Sequence, residues 1–189
     1  MGRTIIFASA SALAIIIAAV IGNVWIIPIL NNHVFTASSA RAEEANNNTN
    51  FLKEIENVPK DRYLQSNVTI DGFRLTADLA LSSEQKEKGL SVKEKLKENE
   101  AMLFVFEKPG SHSFWMKDMK FPIDILWLDS DKRVVHIEKN LQPCNPFLPC
   151  PSFSPDTKAQ YVLETVAGLS DRKGIKIGTQ VDFQLPTLE

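Results

Sequence analysis

Two kinds of hydrophobic pattern divide this chain. From Ile5 to Leu30, 26 positions pass without a charged residue, more than the roughly 20 needed to cross a hydrocarbon core as a helix. From Asn67 onward the apolar residues come in short runs broken by turn formers. In "VTIDGFRLTADLAL" the Asp71-Gly72 pair predicts a hairpin turn. Beyond it Phe73, Leu75, Ala77, Leu79 and Leu81 alternate with mostly polar positions, as a half-buried strand should. Ser82 and Gln85 have capping-box spacing, so a short helix is expected over "SEQKEKG", ending at Gly89. The charged "VKEKLKENE" reads as a solvated connection.

The runs continue to the end of the chain. "AMLFVFEKPG" predicts a strand stopped by Pro109-Gly110, and "SFWMK" and "IDILWLD" predict two more joined around Pro122. "RVVHIEK" is expected to pair back across the turn Asp129-Ser130-Asp131-Lys132. A proline-rich loop follows, then the strand "QYVLETV", a turn or short helix "GLSDRKG", and a last strand ending in "QVDFQL". Six or seven short strands with one or two helical turns predict an α+β domain dominated by antiparallel sheet. Its expected form is a compact curled or barrel-like sheet, since closure removes exposed edges. The organisation expected is an N-terminal transmembrane helix in residues 1–30, kept as an anchor or cleaved as a signal, then a tether over 31–66. The tether is too small and polar to bury a core. The globular domain spans 67–189.

Composition supports a packed core, with 44% hydrophobic and 23% charged residues. The 21 basic and 23 acidic residues balance to a net charge of −2, which offers no basic face and excludes nucleic acid as the expected partner. Cys144 and Cys150 are the only cysteines. An even pair at close spacing, downstream of an export-type segment, predicts a disulfide. Two cysteines with no nearby histidine do not make a metal site, and Cys-x-x-Cys redox spacing is absent. Acceptor sequons for glycosylation occur at Asn47 and Asn67. Together with the cysteines they lead us to expect the globular part outside the cytoplasm.

Candidate chemistry centres on Asp124, which interrupts the apolar run Ile123–Leu128. Alternation places it with Leu126 and Leu128 on one face, and Ile123, Ile125 and Trp127 on the other. A carboxylate so flanked needs a partner. Lys117 is the nearest candidate, with Lys120 or backbone amides of the connecting turn as alternatives. Asp124 is then either a structural pin or, with Lys117, Trp115 and His112, part of a pocket where a perturbed carboxyl acts as acid or base. Glu164 is a second carboxylate within a strand, and a pair with Asp124 would suit glycosidase-type chemistry. Phe114, Trp115, Met116 and Trp127 read as core, with an outward-facing Trp115 beside the proline loop, able to stack on a sugar or base, as the alternative. His136 reads as a surface strand residue, and Asp129 and Asp131 as turn residues without the oxygens of a calcium loop.

The sequence carries no Gly-x-Ser-x-Gly elbow, P-loop, His-Glu-x-x-His or dinucleotide fingerprint. No cofactor or metal is therefore expected. The favoured reading is a membrane-tethered binding or accessory domain, held through residues 5–30 and serving an unknown small molecule or envelope protein. Its cleft would be framed by the Trp115–Asp124 connection and the Cys144–Cys150 loop. The alternative is a small hydrolase-type envelope enzyme using Asp124 and Lys117. A third, a structural envelope subunit, would expose a large apolar patch.

The motif order "MLFVF…SFWMKDMKFPIDILWLD…VVHIEKNLQPC…PDTKAQYVLETVAG…GIKIG" resembles the domain-of-unknown-function family 192 over roughly residues 67–185. The resemblance implies a compact, mostly β domain, often exported, and no assigned activity. Gly89-Leu90-Ser91 stands where the family usually has Gly-Leu-Met, and Ala101 where it has Gly before Met-Leu-Phe. Gly178-Thr179 replaces a typical Gly-Asp.

Overall fold

The computed structural model describes residues 62–186, all within the second of two units, Ala37–Glu189. The apolar run 5–30 and the tether through residue 61 lie outside the described residues, as does Asn47. Among the described residues no helix is long and apolar enough to cross a membrane.

The hairpin read from Asp71-Gly72 is present. β1 (Leu64–Ile70) and β2 (Phe73–Ala80) pair antiparallel, and both turn residues have positive φ, 46° and 80°, as a type I′ turn requires. α1 (Ser83–Lys88) follows with its capping box intact: the Gln85 amide donates to Ser82 Oγ at 3.2 Å, and Gln85 Oε1 accepts from the Ser82 amide at 3.0 Å. A 3₁₀ turn, Gly89–Val92, completes the helical part of a crossover. This crossover exists because β2 pairs parallel with β3 (Glu100–Gly110), and parallel neighbours cannot be joined by a tight turn.

β3 ends at Pro109-Gly110, as expected, and takes in both residues because its register against β8 (Ala159–Val166) slips between Val105 and Gly110, where Gly110 meets Ala159. A proline is tolerated at such an irregularity, where no ladder donor is needed. The "SFWMK" strand is shorter than its sequence suggests. β4 (Phe114–Trp115) pairs with β7 (Ser152–Phe153), which lies in the proline loop, as a separate two-stranded ribbon. β5 (Ile123–Leu128) and β6 (Val134–Leu141) form the next hairpin, and α2 (Leu169–Arg172) and β9 (Val181–Phe183) complete the chain order.

The main sheet has seven strands in the order β6-β5-β8-β3-β2-β1-β9. It curls so that its two edges meet at one end, where Arg133 bridges Gln180, the Val134 amide donates to Thr179 O at 3.0 Å and the Val181 amide to Lys132 O at 3.0 Å. Inside the curl lie Val68, Leu75, Leu79, Leu103, Leu126, Tyr161, Leu163 and Phe183. A second apolar layer, with Met102, Phe104, Ile125, Trp127 and Val162, covers the outer face beneath Leu90 of the crossover and Met116 of the ribbon connection. β5 is therefore buried at every position, which explains its unbroken apolar run. The fold is α+β, a mostly antiparallel half-barrel with two short helices.

Candidate functional site

Two carboxyl groups are buried on adjacent strands, and their surroundings are opposite. Asp124 pairs in register with Thr165, and Ile125 with Glu164. Because side chains alternate, Asp124 points into the curl with Leu126, while Glu164 points to the outer layer with Val162. The two carboxylates lie on opposite faces of the sheet, so no glycosidase-type pair forms.

Asp124 is fully buried and fully partnered. Its Oδ1 accepts from the amides of Asn140 (2.8 Å) and Gly168 (2.9 Å), and its Oδ2 from the amide of Ser170 (2.9 Å). Asn140 and Gly168 both have positive φ, 51° and 76°, so the carboxylate fixes two left-handed turns, at the end of β6 and before α2. The expected lysine partners are elsewhere. Lys117 Nζ lies 5.4 Å from the centroid of the Trp115 ring, and Lys120 pairs with Glu94. Nor do the donor amides belong to the 117–124 connection. Asp124 joins β5 to β6 and to the β8–α2 turn.

Glu164 is partnered differently. It is 4% exposed, and its Oε2 makes no hydrogen bond. Burial alone pushes its carboxyl up to about 8, so at neutral pH it is mainly the uncharged acid. It forms the floor of a cleft of about 370 Å³ between the outer face of the sheet, the end of α1 and the Ser111–Trp115 segment. Phe104, Phe106 and Phe114 contribute aromatic walls, and the charged lining is Lys86, Lys88 and Lys117 with Glu87, Lys88 being paired with Glu84 at 2.8 Å.

His112 lines the same cleft, its ring stacked on Phe106 with centroids 3.5 Å apart and planes 8° from parallel. Its Nε2 lies 3.3 Å from Lys108 O, and its carbonyl accepts from Trp127 Nε1 at 2.8 Å. Burial lowers the imidazole pKa, opposed by the backbone contact at Lys108, which favours a neutral ring. A Cβ on Gly110 would stand 3.2 Å from His112 Cε1, so the imidazole would have to shift by a few tenths of an ångström to admit one. Lys86 Nζ sits 4.9 Å over the other ring of this stack, Phe106, and burial lowers its pKa.

Of the residues singled out from sequence, Trp115, Lys117 and His112 therefore meet at one cleft, and Asp124 does not line it. Trp115 is not a core residue, because its two-residue strand lies at the surface and leaves the ring half exposed. Neither do Cys144 and Cys150, which are joined with a Cα–Cα distance of 5.4 Å. Asn67 is exposed on β1. His136 Nε2 lies 3.2 Å from Glu138 Oε1, and Asp129 Oδ1 accepts from the amides of Asp131 and Arg133 as a turn residue. Among the described residues no cluster of three or more His, Cys, Asp or Glu could hold a metal ion. Its sequence position suggests Glu164 only as a partner for Asp124, and the structure gives it a site of its own. The signal for its separate role was present, since it is the single polar residue between Val162, Leu163 and Val166 besides Thr165.

The family model described as Uncharacterized ACR matches residues 66–183. The chain belongs to the DUF192 family. Two solved structures are similar to this DUF192 domain. A proposed transcription regulator from Sinorhizobium meliloti 1021 is 26% identical with a TM-score of 0.58, over 64% of this chain and 95% of its own. A protein of unknown function from Novosphingobium aromaticivorans DSM 12444 is 30% identical with a TM-score of 0.56, over 64% of this chain and 84% of its own. None of the curated proteins matches. At the departure Gly178-Thr179, Thr179 Oγ1 accepts from the Lys176 amide at 3.1 Å.

Proposed function

We propose that this DUF192 protein is a membrane-tethered binding domain outside the cytoplasm that takes a small organic molecule into the cleft above Glu164. The observation that carries the reading is the contrast between the two buried carboxyls. Asp124, which serves the fold, has three amide donors. Glu164 is equally sunk in the sheet, leaves Oε2 without a hydrogen bond, and opens on a cleft. Burying an unpartnered polar group costs about 1–3 kcal/mol, and a partner brought by a ligand removes that penalty. The ligand class that fits has a hydrogen-bonding head for Glu164, a ring or apolar body for the phenylalanine walls, and an anionic substituent for Lys86 and Lys117 at the rim.

Support for the tether is the uncharged run 5–30, and for the outward placement the cysteine pair. The enzyme reading built on Asp124 and Lys117 loses its geometric basis. The catalytic variant of this reading uses Glu164 as a proton donor, because a carboxyl held at about 8 at the cleft suits general acid chemistry at neutral pH.

A thermal-shift screen of residues 62–189 against sugars, hydroxy acids, amino acids and nucleotides tests this. One class should give a saturable rise in melting temperature, and Glu164→Gln should lower the apparent affinity for that class by roughly tenfold or more. An equal response in both proteins, or no response to any class, would overturn the cleft as the binding site.

A further inference from the structure

Phe147, the most exposed large apolar residue among the described residues, stands beside exposed Leu148 at the tip of the Cys144–Cys150 loop, outside the cleft. Phe147 is 90% exposed and Leu148 65%. The tip is not a slack loop. The disulfide closes it, prolines at 143, 146, 149 and 151 stiffen it, and Asn145 turns it, with its Oδ1 accepting from the Phe147 amide at 2.9 Å and its carbonyl from the Leu148 amide at 3.1 Å. Its base is fastened to the fold by the β4–β7 ribbon and by the Cys144 amide, which donates to Met116 O at 3.1 Å. A rigid finger thus holds two apolar side chains in water.

From Asn140 to Pro155 the chain has sixteen residues without a charge, in a protein that is 23% charged overall. Across the ribbon from Ser152 stands Trp115, 52% exposed, with Lys117 Nζ 5.4 Å from its ring. A half-exposed tryptophan beside a lysine behind an uncharged apolar tip is the arrangement suited to a membrane interface. The ring sits at headgroup level and the ammonium reaches water or phosphate. A protein partner suits this tip less well, because two side chains on a convex loop bury far less than the ~1,000 Å² of a specific interface.

The geometry points to Phe147 and Leu148 as a membrane-inserting finger, by which the domain lies down on the lipid bilayer. Choosing a bilayer rests on the reading of residues 5–30 as an anchor, which would keep the finger at high effective concentration near lipid. Two apolar side chains alone give weak, reversible binding, in the range where a second attachment decides occupancy.

The test has two arms. Residues 62–189 can be used alone, because the Sinorhizobium structure aligns over 95% of its own length, so the equivalent piece stands as a whole chain there. This domain is sedimented with vesicles of equal parts phosphatidylethanolamine and phosphatidylglycerol. The double variant Phe147→Ser, Leu148→Ser should lower the partition coefficient at least about tenfold with an unchanged melting temperature. In the full chain reconstituted in brominated lipid, the emission added by Phe147→Trp should be quenched. Alkaline extraction of the full chain reports on the anchor separately, so loss of the anchor and loss of the finger are distinguishable. Equal vesicle binding by the domain and its double variant would overturn the finger, as would absence of both vesicle binding and quenching.

Discussion

Glu164 shows how a single side chain can set a pH response. Its folded-state carboxyl lies at about 8, above its ordinary value of 4.5, with desolvation as the cause. A raised carboxyl binds its proton more tightly in the folded than in the unfolded chain. Stability from this group is therefore complete below 4.5 and is lost as pH rises to about 8. Urea melts of residues 62–189 should show stability falling by a few kcal/mol between about pH 4.5 and about pH 8 from this residue. Glu164→Gln should remove that component of the slope and leave the domain more stable than the parent at the alkaline end. A variant that keeps the parental slope would show the carboxyl to be solvated or paired. The residue's parity was readable, since strict alternation along "QYVLETV" puts it opposite Leu163. Its cleft was not, because the far wall is contributed by α1 and the Ser111–Trp115 segment, which approach only through the tertiary fold.

Among the elements, β5 is fastened by Asp124 to two turns that no side-chain pattern announces. The donors are backbone amides at Asn140, Gly168 and Ser170, and amides have no residue signature, whereas a nearby lysine such as Lys117 does. Asp124→Asn offers one acceptor oxygen where two are needed and turns an NH₂ toward an N–H donor. We expect it to lower stability by about 2–4 kcal/mol, whereas Lys117→Met, on an exposed side chain, should stay within about 0.5 kcal/mol. Equal losses in chemical denaturation would restore Lys117 as the partner. Elements with a local signature were legible: the Asp71-Gly72 turn, the Ser82–Gln85 capping box, and the alternation of β2. β4 and β7, two residues each, are too short to carry a period. The passage of β3 through Pro109 depends on a register slip against β8 that is not written in β3 itself.

At the scale of the whole molecule, the curled sheet was legible as a class and the parallel β2–β3 pair was not. Strand order depends on contacts between residues far apart in sequence. The sheet is completed by its outermost pair: β9 adds to β1 with Val68 opposite Phe183 and Ile70 opposite Val181, and Ser66 Oγ donates to Gln184 O at 2.7 Å across a separation of 118 residues. Truncation after Gly178 removes that strand and uncovers Val68, Ile70 and Tyr161, all essentially buried. The truncated domain should lose its cooperative thermal transition and bind a dye that reports exposed apolar surface. A sharp melt close to the parent's would show that β9 is dispensable.

The β1–β9 pairing also orders events in time. A ribosome releases β1 long before β9 exists, and the inner apolar layer cannot be sealed until residues 181–183 have emerged. Entropy of closing so long a loop must be met before the contacts reward it. A nascent chain that has yet to supply Val181 and Phe183 therefore keeps Val68 and Ile70 without their partner strand.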